Sequence, residues 1–206
     1  MIYEILALIS SFIVKIISIW GYPGIIVLMA LESACIPIPS EVIMPFSGYL
    51  VFTDRFVFWL VVLAGTVGNL LGSIITYFVG LKGGRPLVEK YGKYILINRH
   101  ELEWAEDWFK KYGNISVFFS RMLPVARTFI SFPAGIAKMP FWKFCLYTFL
   151  GSLPWSIFLT YIGVITGENW KNIEVYFRKF DWLIVILVIS LFSWWLINKF
   201  LRSKKL

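Results

Sequence analysis

The sequence is poor in the residues that carry most enzyme chemistry. Its 206 residues include a single histidine, His100, and two cysteines, Cys35 and Cys145. His100 sits among charges in a polar stretch, so no Ser-His-Asp set can be assembled, and no P-loop pattern is present. The cysteines lie far apart in apolar runs with no metal-ligand spacing, and they read as small buried hydrophobes. No catalytic residue, metal or cofactor is therefore expected. Charge is scarce as well: 16% of residues are charged and 59% are hydrophobic. A soluble domain of this length could not bury that much apolar surface, which makes lipid part of the solvent. Residues 1–20 have no early positive cluster and no small-residue cleavage site, so a removable signal peptide is not expected.

The charge that is present is unevenly placed. The net charge is +8, with seven of the twenty Lys and Arg between Lys82 and Lys111 and four more between Lys199 and Lys205. These are flanks of apolar spans and suit cytoplasmic loops under the positive-inside rule, which explains the basicity without nucleic acid. The ten Trp include Trp170, Trp182 and the pair Trp194-Trp195, as expected at a membrane interface.

Five apolar regions follow. Phe56–Leu81 is 26 residues without a charge, Phe144–Gly167 is 24, and Leu183–Asn198 is 16. A span needs about 20 residues, so the first two cross simply, and the third does so with Trp182 and Lys199 added. Residues 1–20, interrupted by Lys15, either cross or lie in the interface. Gly24–Phe52 is broken by Pro37-Ile38-Pro39-Ser40-Glu41, and two prolines in three residues cannot sit inside one continuous helix. Each arm is then too short for a hydrocarbon core of about 30 Å, and a re-entrant hairpin fits better. Ile115–Ala137 repeats the design around Pro124 and Pro133-Ala134-Gly135.

A shift of 83 residues superposes Phe58-Trp59 on Phe141-Trp142, Gly68 on Gly151, Ser73 on Ser156 and Gly80 on Gly163. The expected fold is an all-α integral membrane protein, a single membrane domain over 1–206. It comprises an N-terminal helix (1–20), repeat 1 (22–81), a cytoplasmic or interfacial linker (82–112), repeat 2 (113–167) and a C-terminal transmembrane helix (182–201). Each repeat is a re-entrant hairpin plus one span. With one span per copy the repeats come out inverted, an arrangement of secondary transporters; a parallel duplication of kinked spans is the alternative. Within the linker, Trp104, Trp108 and Phe109 have the spacing of an interfacial amphipathic helix.

Glu32, Glu41, Arg121 and Arg127 are the ionisable residues within the hairpins. Each costs on the order of 2.5–3.5 kcal/mol at the centre of a membrane helix unless it pairs or meets water. Both acids fall on the first hairpin and both arginines on the second, so hairpins meeting at their tips would bring the signs together around a polar cavity. Two Glu–Arg pairs could merely lock the halves; against that, buried pairs stabilise weakly, and Arg suits bidentate binding of phosphate or carboxylate. Ser40 and Thr128 are placed to cap the arms that follow, and Asn69 and Tyr77 either line the cavity or bond across helices. Ser120-Arg121 superficially resembles part of a membrane acid-phosphatase motif, but no histidine follows it in the second hairpin.

The runs Glu32-Ser33-Ala34-Cys35-Ile36-Pro37-Ile38-Pro39-Ser40-Glu41 and Phe119-Ser120-Arg121-Met122-Leu123-Pro124-Val125-Ala126-Arg127-Thr128, with Ala134-Gly135, closely resemble the DedA family. It is also called the SNARE-associated or VTT-domain superfamily, and the resemblance covers about residues 15–200. It implies lipid transport. Bacterial members are implicated in returning undecaprenyl phosphate across the cytoplasmic membrane and others in moving phosphatidylethanolamine, while eukaryotic relatives scramble phospholipids. The family's essential acids map onto Glu32 and Glu41 and its paired arginines onto Arg121 and Arg127. Many relatives have Asp where this chain has Asn69. The expectation is thus a multi-pass flippase for a lipid phosphate, foremost undecaprenyl phosphate, in a bacterial cytoplasmic membrane. Arg121 and Arg127 would hold phosphate; Glu32 and Glu41 would carry any proton coupling; Pro37, Pro39, Ser40, Pro124, Thr128, Asn69 and Tyr77 would support them. A phosphatidylethanolamine flippase or scramblase and a proton- or cation-coupled transporter are the alternatives. No feature of the sequence sets the oligomeric state.

Overall fold

A computed structural model of the chain describes residues 2–36, 38–95, 113, 115–123 and 126–167. Within them the chain is helical: α1 (Ile2–Trp20), α2 (Tyr22–Ser33), α3 (Ser40–Phe52), α4 (Phe58–Ile95), α5 (Ile115–Arg121), α6 (Ala126–Phe129), α7 (Ser131–Ile136) and α8 (Phe141–Ile165). The C-terminal helix expected over 182–201, the amphipathic stretch around Trp104, His100, Pro37 and Pro124 lie outside the described residues.

Local chemistry sets the breaks. Gly21 stands at φ 64°, a conformation that costs glycine nothing, and it turns α1 into α2. α2, α3 and α7 all end in the same way. The next residue but one adopts a left-handed conformation (Cys35, Asp54 and Lys138, φ 66°, 56° and 51°). The residue after it then donates back to a carbonyl five positions earlier: Ile36 to Leu31 at 3.1 Å, Arg55 to Leu50 at 3.0 Å, and Met139 to Ala134 at 3.1 Å. These Schellman turns satisfy carbonyls that a bare helix end would leave open. Pro39, extended at ψ 119°, delivers the chain into α3, and Pro140 does the same for α8.

Among the described residues, two helices are long and apolar enough to cross a membrane, Phe58–Gly83 (26 residues) and Phe141–Ile165 (25 residues). They carry large apolar side chains outward, with Trp59 62% and Trp142 82% exposed, as lipid contact requires. The first helix does not stop at Leu81 but runs on to Ile95, into the expected linker. The second begins at Phe141, three residues earlier than the apolar run suggests, because Pro140 starts it. The arms α2 and α3 have 12 and 13 residues, too short to cross singly. The second hairpin is more broken than the sequence suggests, its far arm dividing at Ile130 between α6 and α7.

The short helices are shared between the long ones. α2 packs on α4 and α5 on α8, whereas α3 packs on α8 and α7 on α4; α4 and α8 also touch each other. Two equivalent glycines permit the exchanged contacts. A Cβ on Gly163 of α8 would collide with the Pro45 carbonyl of α3, and one on Gly80 of α4 would collide with the Phe132 carbonyl of α7. Among the described side chains, the inward faces of the long helices carry small hydroxyl residues rather than charges. Ser73 on α4, and Ser152 and Thr160 on α8, are buried and donate to the carbonyls of Asn69, Thr148 and Ser156, four residues back, at 2.6–2.7 Å. A satellite apolar core forms around Tyr77, Val117, Ala134, Met139 and Phe144.

Candidate functional site: a buried arginine pair between two hairpins

Arg127 lies in α6, a four-residue helix of the second hairpin, and its side chain is 3% exposed. Its Nη2 faces the first hairpin and meets three oxygens there. It donates to Glu32 Oε1 at the end of α2 (2.6 Å), to Ser40 Oγ at the start of α3, and to Glu41 Oε1 (3.3 Å). The two acids differ in setting: the side chain of Glu32 is 7% exposed and that of Glu41 33%. The second oxygen of Glu32, Oε2, is buried without a hydrogen-bond partner among the described residues. The Trp155 ring of α8 lies 4.9 Å from Arg127 Cζ, within cation–π range.

Arg121, the last residue of α5, is 1% exposed and meets no carboxylate among the described residues. It is held by neutral oxygens: the Arg127 carbonyl (2.6 Å), Ser131 Oγ (2.6 Å), Asn69 Oδ1 (3.2 Å) and Thr148 Oγ1 (3.5 Å). Ser152 joins the set, its hydroxyl 3.0 Å from Asn69 Oδ1. Gly151 makes room, since a Cβ there would stand 2.8 Å from Arg121 Cβ. Two Glu–Arg pairs are therefore not what forms. Both acids converge on Arg127, the residue nearer the first hairpin, while Arg121 lies deeper against the long helices.

The structure thus gathers Glu32, Ser40, Glu41, Asn69, Arg121 and Arg127 into one cluster and leaves Tyr77 outside it. The Tyr77 hydroxyl donates to the Met139 carbonyl at 2.5 Å, and its ring stacks on Phe144 with centroids 4.6 Å apart. Neither expected cap forms. Ser40 is the first helical residue of α3 rather than its cap, and its hydroxyl serves Arg127. Thr128 lies inside α6, where its carbonyl accepts a long contact from Cys35 Sγ, 3.7 Å away, linking the turn after α2 to the second hairpin. Pro39 carries the chain into α3 next to the cluster.

Ser131, Thr148, Ser152 and Trp155 were not expected at the site. One signal for them was available in the repeat: the 83-residue shift that pairs Gly68 with Gly151 also pairs Asn69 with Ser152, and these two side chains touch. Ser131, ten residues after Arg121 in an irregular hairpin, carries no comparable signal.

The VTT domain profile matches residues 38–165, more than half of the chain. This is a DedA-family membrane protein. Undecaprenyl phosphate transporter A of Bacillus subtilis is 39% identical over 87% of this chain and 88% of its own length. The protein of the same name from Staphylococcus aureus is 29% identical over 87% of this chain and 93% of its own. A Lactococcus lactis relative named alkaline phosphatase-like protein is 34% identical over 87% and 86%. No solved structure matches the chain. Among the described residues, no group of His, Cys, Asp and Glu is arranged to hold a metal.

Proposed function

We propose that this DedA-family protein is a lipid flippase that carries a lipid phosphate, foremost undecaprenyl phosphate, across a bacterial cytoplasmic membrane. The carrying observation is the buried arginine pair. Arg127 is neutralised by acids from the opposite hairpin, while Arg121 is held, among the described residues, by neutral oxygens. A guanidinium poised among exchangeable oxygens is suited to trade them for phosphate oxygens, with the lipid tail remaining in the bilayer. The names of the Bacillus and Staphylococcus relatives favour the polyprenyl lipid.

The hairpins are read as re-entrant and the two halves as an inverted repeat. The exchange of partners supports this: each half places one short arm on its own long helix and the other on its counterpart's. Movement of one hairpin then disturbs both long helices, which is what alternating opening of two gates needs. Glu32 and Glu41 serve as proton carriers. Phosphate displaces them from Arg127, and Glu32, buried and without its counter-charge, is costly unless it takes up a proton. Glu41, the more exposed of the two, is the entry point for that proton. Both arginines are needed for phosphate, and Asn69 positions Arg121.

Transbilayer movement of labelled undecaprenyl phosphate in liposomes holding the purified protein tests this, beside an Arg121→Ala/Arg127→Ala control and a phosphatidylethanolamine probe. Polyprenyl movement lost in the control is the expected result. Movement of phosphatidylethanolamine alone would make the protein a phospholipid flippase or scramblase. Movement of neither, with an imposed pH gradient, would favour an ion transporter built on Glu32 and Glu41.

A further inference from the structure

The indole Nε1–H of Trp155 is buried and has no hydrogen-bond acceptor among the described residues, and neither has Arg121 Nε. A buried donor without a partner is unfavourable, and tryptophan is normally placed where its N–H finds one. Packing alone does not account for it. The ring covers Arg127 at 4.9 Å, a contact that a phenylalanine would make without bringing an orphaned N–H. Position adds to this. Thr148, Ser152 and Trp155 follow one another at helical spacing on a single face of α8. Thr148 bonds Arg121, Ser152 bonds Asn69 of the same cluster, and Trp155 covers Arg127. Among the described residues, the arginine cluster therefore offers the Trp155 indole N–H and the Arg121 Nε–H in addition to the guanidinium edge now turned to the first hairpin.

The geometry points to Trp155 as a direct donor to a phosphoryl oxygen, one that selects a phosphate monoester over a diester. This rests on the reading of Arg121 and Arg127 as the phosphate site. A monoester offers three terminal oxygens and a diester only two. Two arginines can occupy two oxygens of either ligand. The Trp155 N–H then meets a third terminal oxygen in a monoester, but an esterified oxygen, a far poorer acceptor carrying an alkyl group, in a diester. A site built to hydrogen-bond a ligand discriminates strongly against a ligand that leaves its buried polar groups unpaired.

Binding of farnesyl phosphate and of its methyl diester to the purified protein tests the assignment. The wild type is expected to prefer the monoester. Trp155→Phe, which keeps a ring over Arg127, is expected to lose about 10- to 100-fold in monoester affinity, as for a hydrogen bond to a charged group, with diester affinity nearly unchanged. Replacing Trp155 by its benzothienyl analogue, which swaps the N–H for sulfur in the same shape, is expected to do the same and guards against misfolding of the Phe variant. An unchanged monoester-to-diester ratio in the analogue overturns the proposal, as does a wild type with no monoester preference; a water satisfying the indole would give the former. Transport in liposomes is read separately. Trp155-dependent monoester binding without transport would defeat the translocase reading and leave this assignment standing. Transport with Trp155-independent binding would do the reverse.

Discussion

Removal of the Arg127 charge should destabilise the protein in a way that depends on which acid is left behind. Arg127 Nη2 lies 2.6 Å from Glu32 and 3.3 Å from Glu41, with side-chain exposures of 7% and 33% for the two acids. Arg127→Met leaves Glu32 buried without its counter-charge, a situation that costs about 3–5 kcal/mol. At about 2–4 °C per kcal/mol for a chain of this size, the melting temperature should fall by several degrees or more. Glu32→Gln in the same background should restore most of that loss, because no uncompensated charge remains. Glu41→Gln should restore little, since solvent screens a third-exposed carboxylate and such pairs contribute about 1 kcal/mol or less. Melting of detergent-purified single and double variants gives both coupling energies through double-mutant cycles. Equal couplings for the two acids, or an Arg127→Met protein as stable as wild type, would refute the assignment of Glu32 as the principal buried counter-ion.

Three further outcomes are expected. Asn69→Asp places a carboxylate at the Oδ1 position that Arg121 already reaches at 3.2 Å, and charge-assisted bonds are roughly twice as strong as neutral ones. Melting should move upward, and a lower melting temperature would show that Arg121 does not need a counter-charge. Gly163→Ala drives a methyl into the Pro45 carbonyl and should cost about 1–3 kcal/mol by forcing α3 and α8 apart, while an unchanged melting temperature would contradict the close packing. Tyr77→Phe orphans the Met139 carbonyl and should cost about 1–3 kcal/mol, yet leave lipid movement per folded molecule intact; a selective transport defect would place Tyr77 back in the site.

The helix breaks and the identity of the charged cluster were legible in the sequence because each rests on a strong local or solvation rule. Proline forbids a helix through residues 37–39, and ionisable side chains in apolar hairpins must find partners, so Glu32, Glu41, Arg121 and Arg127 declare themselves. The pairing pattern was not legible. Whether an acid meets Arg121 or Arg127 depends on where a six-residue offset falls in a hairpin with no regular period. Ser40 and Thr128 look like caps because their positions after a proline and an arginine suit capping, but tertiary contacts took precedence: Arg127 claims the Ser40 hydroxyl, and α6 starts two residues before Thr128. Ser131 and Thr148 were invisible because a hydroxyl in an apolar helix usually bonds its own backbone, as Thr160 does here.

The seat of α3 on α8 has a consequence for how the chain is made. Gly163, which receives the Pro45 turn, is synthesised more than a hundred residues after α3 ends at Phe52. At about 5–20 residues per second, that interval is roughly 5–20 s. For about the first two thirds of it, until Arg127 is made, the start of α3 holds Glu41 in a nascent chain that contains neither Arg127 nor α8. The newborn first half must be sheltered by the insertion machinery or rest near the aqueous surface, and it acquires its final depth only when the second half arrives.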